Sequence, residues 1–320
     1  MTTPSRLHLG FLDLEGGLGR IFGGIGVALN YPNTIVEAEP SGELIVKGEK
    51  SVQARLFAER FLKAYGLPRK VAINVKQTIP EHVGLGSGTQ LALAVATSLA
   101  KIFQIRASVK ELAAITGRGS VSGVGIAIFE LGGFVVEGGL KTGISNPFIT
   151  KSIPPVIFHA SFPDDWLFVI AIPNVKRGFT DEEEPTIFSR LPPMSAENVG
   201  KICRLTLMKL LPSIIEHDIK SFGEALTSIQ NILGNYFSHV QGGIYSSRIA
   251  EEAITHILRQ EAYGAGQSSW GPAFYGLVQG EEKALKLRST LQSFLNNRGG
   301  GQVFVAKANN NGAFVEQIAK

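Results

Sequence analysis

The chain has 320 residues, of which 44% are hydrophobic and 18% charged, with a formal net charge of +4. That composition holds enough apolar material for one large or two ordinary domains and carries no mark of disorder; the mild charge suits an enzyme handling anionic substrates, and without a lysine and arginine run no nucleic-acid partner is expected. One cysteine, Cys203, excludes an internal disulfide and a cysteine metal cluster, and the absence of an apolar leader or a membrane-length run predicts a soluble, cytoplasmic protein with no membrane partner.

Arg6 to Leu14 begins with apolar–polar alternation and predicts a strand; Gly16 to Gly26 then predicts a flexible connection. Gly26–Asn30 and Asn33–Glu39 predict paired strands around Tyr31-Pro32, followed by a short strand over Glu43–Lys47. Ser51 to Tyr65 has helical spacing, with Val52, Leu56, Phe61 and Leu62 on its apolar face. Val71 to Val75 alternates like a half-buried strand and leads into Ile79-Pro80-Glu81-His82-Val83-Gly84-Leu85-Gly86-Ser87-Gly88-Thr89-Gln90, after which residues 91–100 carry neither charge nor proline.

A strand, a glycine turn and a buried helix make an anion site. The first amides of a helix have no partner within it, and its dipole places partial positive charge there. Glycines at 84, 86 and 88 let the backbone reach phosphate oxygens, and Ser87 and Thr89 add hydroxyl donors. His82, Gly84, Leu85, Gly86, Ser87, Gly88 and Thr89 are therefore the candidate phosphate ligands. The spacing fits neither a Walker A loop nor a dinucleotide fingerprint. A turn needed only for packing is the alternative.

Farther along, Ser108 to Glu111 is a capping-box match opening a short helix to Thr116-Gly117. Arg118 to Gly125 is a second Ser/Gly-rich turn, Ile126–Leu131 a short helix and Phe134–Glu137 a strand. A domain boundary falls near 144–155 or just after the strand Val156–Ala160. Trp166–Ile172 is an apolar strand that empties into Lys176 and Arg177, two cations suited to a pyrophosphate, and then the acidic run Asp181 to Glu184, a solvated helix start or a magnesium site. Helices over 196–211, 213–233 and 246–262 precede a third glycine loop, Gly264 to Pro272, then a strand, a helix and a final strand over Gly301–Ala306. This order suggests a second α+β layer.

Arg6 and His8 fall on one face of the first strand; Arg6 suits a phosphate and His8 a hydrogen bond to substrate, against the alternative of a surface strand. Six histidines show no paired metal spacing, and neither HExxH nor GxSxG occurs.

With these loops in place, the chain resembles the GHMP kinase superfamily. Pro80-Glu81-His82-Val83-Gly84-Leu85-Gly86-Ser87-Gly88 matches its phosphate loop, Gly264-Ala265-Gly266 its third motif, and Arg6-Leu7-His8-Leu9-Gly10 stands where its first motif lies. The resemblance spans most of the chain and implies an α+β, GHMP-kinase-like two-domain fold: an N-terminal phosphate-binding domain over 1–160, like the second domain of ribosomal protein S5, and a ferredoxin-like domain over 161–320. It departs from the family at Ser122-Gly123-Val124-Gly125, where kinases carry an aspartate in place of the last glycine. A glycine cannot accept a hydroxyl proton.

Within that superfamily the chain is most similar to the β-ribofuranosylaminobenzene 5′-phosphate synthases of methanopterin biosynthesis, on Arg6 to Asp13, Gly84 to Gln90, Asn174 to Thr180 and Gly266 to Pro272. This resemblance implies a glycosyltransferase joining 4-aminobenzoate to phosphoribosyl pyrophosphate with release of CO₂ and pyrophosphate. It implies Arg6, His8, Lys176 and Arg177 at the reacting centre, Mg²⁺ as cofactor and a homodimer. Gly266, Gln267, Ser268, Ser269 and Trp270 would line the pocket for the aromatic acid. The alternatives are an ATP-dependent small-molecule kinase, with a carboxylate such as Glu130 standing in for the aspartate, and a non-catalytic binder of a phosphorylated ligand.

Overall fold

In the computed structural model the described residues are 1–142, 152–175, 178 and 183–317. The first sheet holds β1 (Thr2–Asp13), β2 (Arg20–Pro40), β3 (Ile45–Gly48), β4 (Val71–Gln77), β5 (Phe134–Glu137), β6 (Leu140–Lys141) and β7 (Val156–Ala160). Its order is β3-β4-β2-β5-β7, with β1 and β6 also paired to β2. Residues 26–39 do not form the expected strand pair. Instead β2 runs unbroken for 21 residues, and β1 lies along it from Phe22 to Ile35. The glycines of the expected flexible link serve packing: a Cβ on Gly24 or Gly26 would lie 2.6 or 2.3 Å from the Val124 side chain. They clear space for a helix over the strand.

Among the described residues of the first half the helices are α1 (Ser51–Ala64), α2 (Ser87–Ile102), α3 (Val109–Thr116) and α4 (Val124–Leu131), the last being the one over β2. On α1 the buried face is Ala54, Phe57, Ala58, Phe61 and Leu62, whereas Val52 and Leu56, expected on that face, are exposed. The α3 capping box forms as expected, with the Glu111 amide donating to Ser108 Oγ and the Glu111 carboxylate accepting from the Ser108 amide. α2 is buried on nearly every side from Gln90 to Val95, which its charge-free sequence requires.

The second sheet comprises β8 (Trp166–Pro173), β9 (Gly264–Gln267), β10 (Phe274–Gln279) and β11 (Gly301–Ala306), ordered β11-β8-β10-β9 with every pair antiparallel. The opening of the third glycine loop is therefore strand. Between the sheets run α5 (Glu184–Arg190), α6 (Ala196–Leu205), α7 (Leu211–Ile215) and α8 (Ile219–Gln241), then α9 (Arg248–Arg259) and α10 (Glu281–Asn296). α9 and α10 cover one face of the second sheet through Ile254, Ile257, Leu287 and Leu291. This is the split β-α-β pattern of a ferredoxin-like domain. The expected break between helices at 211–213 lies elsewhere: α6 widens into a π-helical turn over Thr206–Leu210 ahead of Pro212, which has no N–H to donate, and the chain stops at His217 (φ 57°) before α8.

α8 joins the two halves. Its Phe222, Ile229 and Leu233 pack in one core with Phe168 and Ile170 of β8 and with Leu7, Leu9 and Phe11 of β1. Residues 307–314 then return to the first sheet, where the Asn30 amide donates to the Lys307 carbonyl (3.0 Å) and Thr2 pairs with Phe314. No helix among the described residues is long and apolar enough to cross a membrane.

The wedge is tight where α8 crosses β9: a Cβ on Gly223 would lie 2.1 Å from the Tyr263 carbonyl oxygen, whereas one on Gly200 of α6 meets nothing within 4 Å. Gly223→Ala is expected to cost about 1–3 kcal/mol from overpacking, and the exposed Gly200→Ala to gain roughly 0.5–1 kcal/mol from helix propensity. Urea midpoints of the two variants check this; equal effects would contradict it.

Candidate active site

Three stretches far apart in the chain meet at the Gly84 carbonyl oxygen. It accepts one hydrogen bond from Arg6 Nη1 (3.0 Å) and a second from Ser268 Oγ (2.6 Å). Ser268 Oγ in turn accepts from the His8 amide (3.0 Å), and the Arg6 amide donates to the Leu85 carbonyl (3.1 Å). Gly84 sits at φ 87° with no room for a side chain, since a Cβ would lie 2.1 Å from the Ser268 carbonyl oxygen. The first strand, the phosphate-type loop and the third glycine loop are thus locked together by hydrogen bonds from Arg6 and Ser268 to backbone groups.

Beyond this knot α2 begins. Its N-cap is Gly86, which has no side chain to cap the first turn, so the amides of Ser87, Gly88 and Thr89 face outward without an intrahelical partner. With the helix dipole these amides carry partial positive charge at the loop where the sequence predicts phosphate ligands. Of its other expected members, Leu85 turns its side chain into the core (1% exposed) and leaves only backbone to the loop. His82 is exposed at φ 56°, with its carbonyl accepting from the Gly178 amide (3.0 Å). The Arg6 guanidinium braces Gly84, and its stem lies over Gly86, where a Cβ would come within 2.7 Å of Arg6 Cγ.

The position that departs from the kinase pattern lies beside the cradle. A Cβ on Gly125, in the first turn of α4, would lie 3.2 Å from Thr89 Cγ2, and the Gly125 carbonyl accepts from Gln90 Nε2 (2.8 Å). A carboxylate there would stand at the start of α2; this chain has only backbone. Glu130, the alternative carboxylate, is exposed at the opposite end of α4.

A cleft opens between β1, α8 and the third loop, lined by His8, Phe11, Gln230, Phe237, Tyr245 and Trp270. Three of the five expected acceptor-pocket residues, Gln267, Ser269 and Trp270, line it. The other two serve the framework. Ser268 is engaged by Gly84 and His8, and Gly266 makes room for Gln230, whose carboxamide bridges the Leu9 carbonyl (2.7 Å) and the Gln267 amide (3.0 Å). Trp270 is 7% exposed and meets Phe237 edge to face with centroids 4.7 Å apart, so it forms one wall of an aromatic cluster.

His8 is 2% exposed, and burial together with the nearby Arg6 charge holds its imidazole well below the usual histidine range, in the neutral form. Behind it lies a buried carboxylate that the sequence reading missed. Glu137, the last residue of β5, is fully buried; burial pushes its pKa up to about 7 against the opposing effect of the Gly139 and Gly123 amides, Ser122 Oγ and the Arg20 charge. Its place at the end of an otherwise apolar strand, before Gly138-Gly139, was the available signal.

Lys176 and Arg177, the remaining expected cations, lie outside the described residues, as do Asp181 and Glu182. Gly178 beside them packs on the site: a Cβ there would lie 2.3 Å from the Gly271 carbonyl oxygen. Among the described residues no group of three His, Cys, Asp or Glu side chains lies together as a metal site.

Comparison with known proteins accords with this geometry. The GHMP kinases N terminal domain model matches residues 50–133 and the GHMP kinases C terminal model residues 210–297. The Listeria monocytogenes putative homoserine kinase shares the fold (TM-score 0.70, 16% identity, 99% of this chain and 98% of that one), as does the Methanococcus jannaschii mevalonate kinase (TM-score 0.67, 16% identity, 97% and 98%). Two full-length relatives named beta-ribofuranosylphenol 5′-phosphate synthase are 36% identical in Methanothermobacter thermautotrophicus (98% of both chains) and 34% identical in Archaeoglobus fulgidus (99% of both). The chain therefore belongs to the GHMP kinase superfamily and, within it, to the family formed by these synthases.

The buried carboxylate makes stability depend on pH. A carboxyl whose folded pKa is raised contributes stability that is fully present below its ordinary value of 4.5 and is lost as pH rises through about 7. The stability of Glu137→Gln relative to the native chain is expected to improve over that window. Urea midpoints at its two ends check this; a constant difference would contradict it.

Proposed function

We propose that this enzyme is a decarboxylating phosphoribosyl transferase. It joins the 5-phosphoribosyl group of phosphoribosyl pyrophosphate to the carboxylate-bearing ring carbon of a para-substituted benzoate and releases CO₂ and pyrophosphate, a step of tetrahydromethanopterin biosynthesis. The observation that carries this reading is an intact anion cradle at Ser87 to Thr89 beside a glycine at 125 where a kinase has its carboxylate. Breaking the bond from the ribose C1 to pyrophosphate develops negative charge on the leaving group, which outward-facing helix amides stabilise, and it requires no protein nucleophile. A magnesium ion, if bound with the donor, would supply further charge neutralisation.

The acceptor ring enters the cleft between Phe11, Phe237 and Trp270, walls that suit a flat aromatic acid. The resemblance within the superfamily implies an amino group para to the carboxylate, and the name of the full-length relatives carries a phenol. 4-Aminobenzoate and 4-hydroxybenzoate are accordingly the two acceptors to offer. Lys176 and Arg177 are proposed as further phosphate ligands, from their sequence position next to Gly178. The kinase alternative is disfavoured, since Glu130 is too far along α4 to replace an aspartate at 125.

Incubation with phosphoribosyl pyrophosphate, Mg²⁺ and each acceptor labelled at the carboxyl tests the proposal. Labelled CO₂ is expected in equal amount to pyrophosphate. No labelled CO₂ from either acceptor, or ADP formation from ATP and an alcohol, would contradict it.

A further inference from the structure

Ser122 Oγ lies between three polar neighbours: His8 Nε2 at 3.1 Å, Glu137 Oε1 at 3.4 Å and the Val124 amide at 3.2 Å. A serine hydroxyl offers one proton and two lone pairs. The Val124 N–H takes one lone pair, so the remaining lone pair and the proton are divided between His8 and Glu137. Two arrangements satisfy all three. With Glu137 ionised, Ser122 donates to the carboxylate and accepts from His8 Nε2–H, which leaves Nδ1 bare. With Glu137 protonated, the carboxyl donates to Ser122, Ser122 donates to Nε2, and the ring proton sits on Nδ1.

The rest of the carboxylate is fixed. Glu137 Oε2 accepts from the Gly139 amide (2.7 Å) and Oε1 from the Gly123 amide (3.2 Å). Glycine at 24 leaves room for the pair, since a Cβ there would lie 2.8 Å from Glu137 Oε1 and 3.1 Å from Ser122 Oγ. The charged groups around the chain of bonds are Arg20, which acts on Glu137, and Arg6, which acts on His8. The His8 ring lines the aromatic cleft, 4.7 Å from the Phe11 ring, and its Nδ1 has no hydrogen-bond partner among the described residues.

We propose that Glu137 and Ser122 set the tautomer of His8 so that its Nδ1 serves as the base for a para-hydroxyl group on the aromatic acceptor. This rests on the phosphoribosyl transfer reading above. The acceptor O–H gives its proton to Nδ1, and the oxygen electron pair moves through the ring to the carboxylate-bearing carbon. That carbon bonds to the ribose C1 as the C1–oxygen bond breaks, its pair leaving with pyrophosphate. The C–CO₂ bond then breaks, its pair restores the aromatic ring and the phenolate oxygen, and the proton returns from Nδ1. A para-amino group pushes its nitrogen lone pair without first losing a proton, so it makes no such demand on His8. The chain is built for an acceptor with an ionisable hydroxyl; Glu137 and Ser122 are positioning residues and His8 is the catalytic one.

Glu137→Gln presents a carboxamide N–H to Ser122 and holds His8 in the Nδ1–H form. Turnover of 4-hydroxybenzoate relative to 4-aminobenzoate is expected to fall by about 10²-fold in this variant, the usual scale of general-base catalysis. Ser122→Ala, which cuts the link and keeps the carboxylate, is expected to lower the same ratio. Nitrogen-15 NMR of the His8 ring in the ligand-free protein is a second measurement. Well above pH 7 the native ring is expected to carry its proton on Nε2 and the Glu137→Gln ring on Nδ1. A ratio unchanged because both acceptors lose rate together, or the same tautomer in both proteins, would overturn the proposal. Failure of the native enzyme with both acceptors would instead count against the transferase reading, and the tautomer measurement would still decide the wiring.

Discussion

The Gly84 carbonyl oxygen is the point on which the site depends. One acceptor atom takes Arg6 from the first strand and Ser268 from the third glycine loop, and Ser268 also holds the backbone of His8. Bonds to a charged donor in a partly buried setting are among the stronger ones a protein makes, and losing either partner leaves the others misaligned. The positive φ at Gly84 turns the carbonyl inward while the loop continues to Gly86 and opens the first turn of α2 outward. One turn therefore builds both the framework and the outward-facing first turn of α2.

The kinase pattern of the superfamily has a carboxylate at position 125, and this chain has a glycine there. At the cradle, position 125 contributes only backbone, packed against Thr89. A carboxylate appears instead at Glu137, buried behind Ser122 and reaching the cleft only through His8. In the proposed reading, acid–base capacity lies at His8 beside the aromatic cleft and not at the start of α2. That suits a reaction whose leaving group needs positive charge and whose nucleophile is a ring carbon made electron-rich by a substituent.

Much of this was legible in the sequence, for physical reasons. The turn and the buried helix after it were readable because a helix with no charge must be buried and because glycines at 84 and 86 answer to backbone positions with positive φ. The capping box at Ser108 was readable because it is local. The long β2 was not, since glycines that clear space for Val124 have the same letters as glycines in a loop. The buried face of α1 was shifted because Val52 and Leu56 are apolar yet point to solvent. Glu137 and Ser122 were missed because their meaning arises only when β5, the second Ser/Gly turn and β1 are brought together, a contact that no local pattern encodes. Gly266 and Ser268 were assigned to the acceptor pocket, but they support it from behind.

The central claim is that the turn at Gly84 holds the diphosphate of an activated sugar at the start of α2. A structure determined with phosphoribosyl pyrophosphate tests it most directly. Pyrophosphate oxygens within hydrogen-bond distance of the Ser87, Gly88 and Thr89 amides, with the ribose C1 directed toward the cleft at His8, is the result predicted. Diphosphate bound elsewhere on the molecule, with those amides free of the donor, would contradict the account.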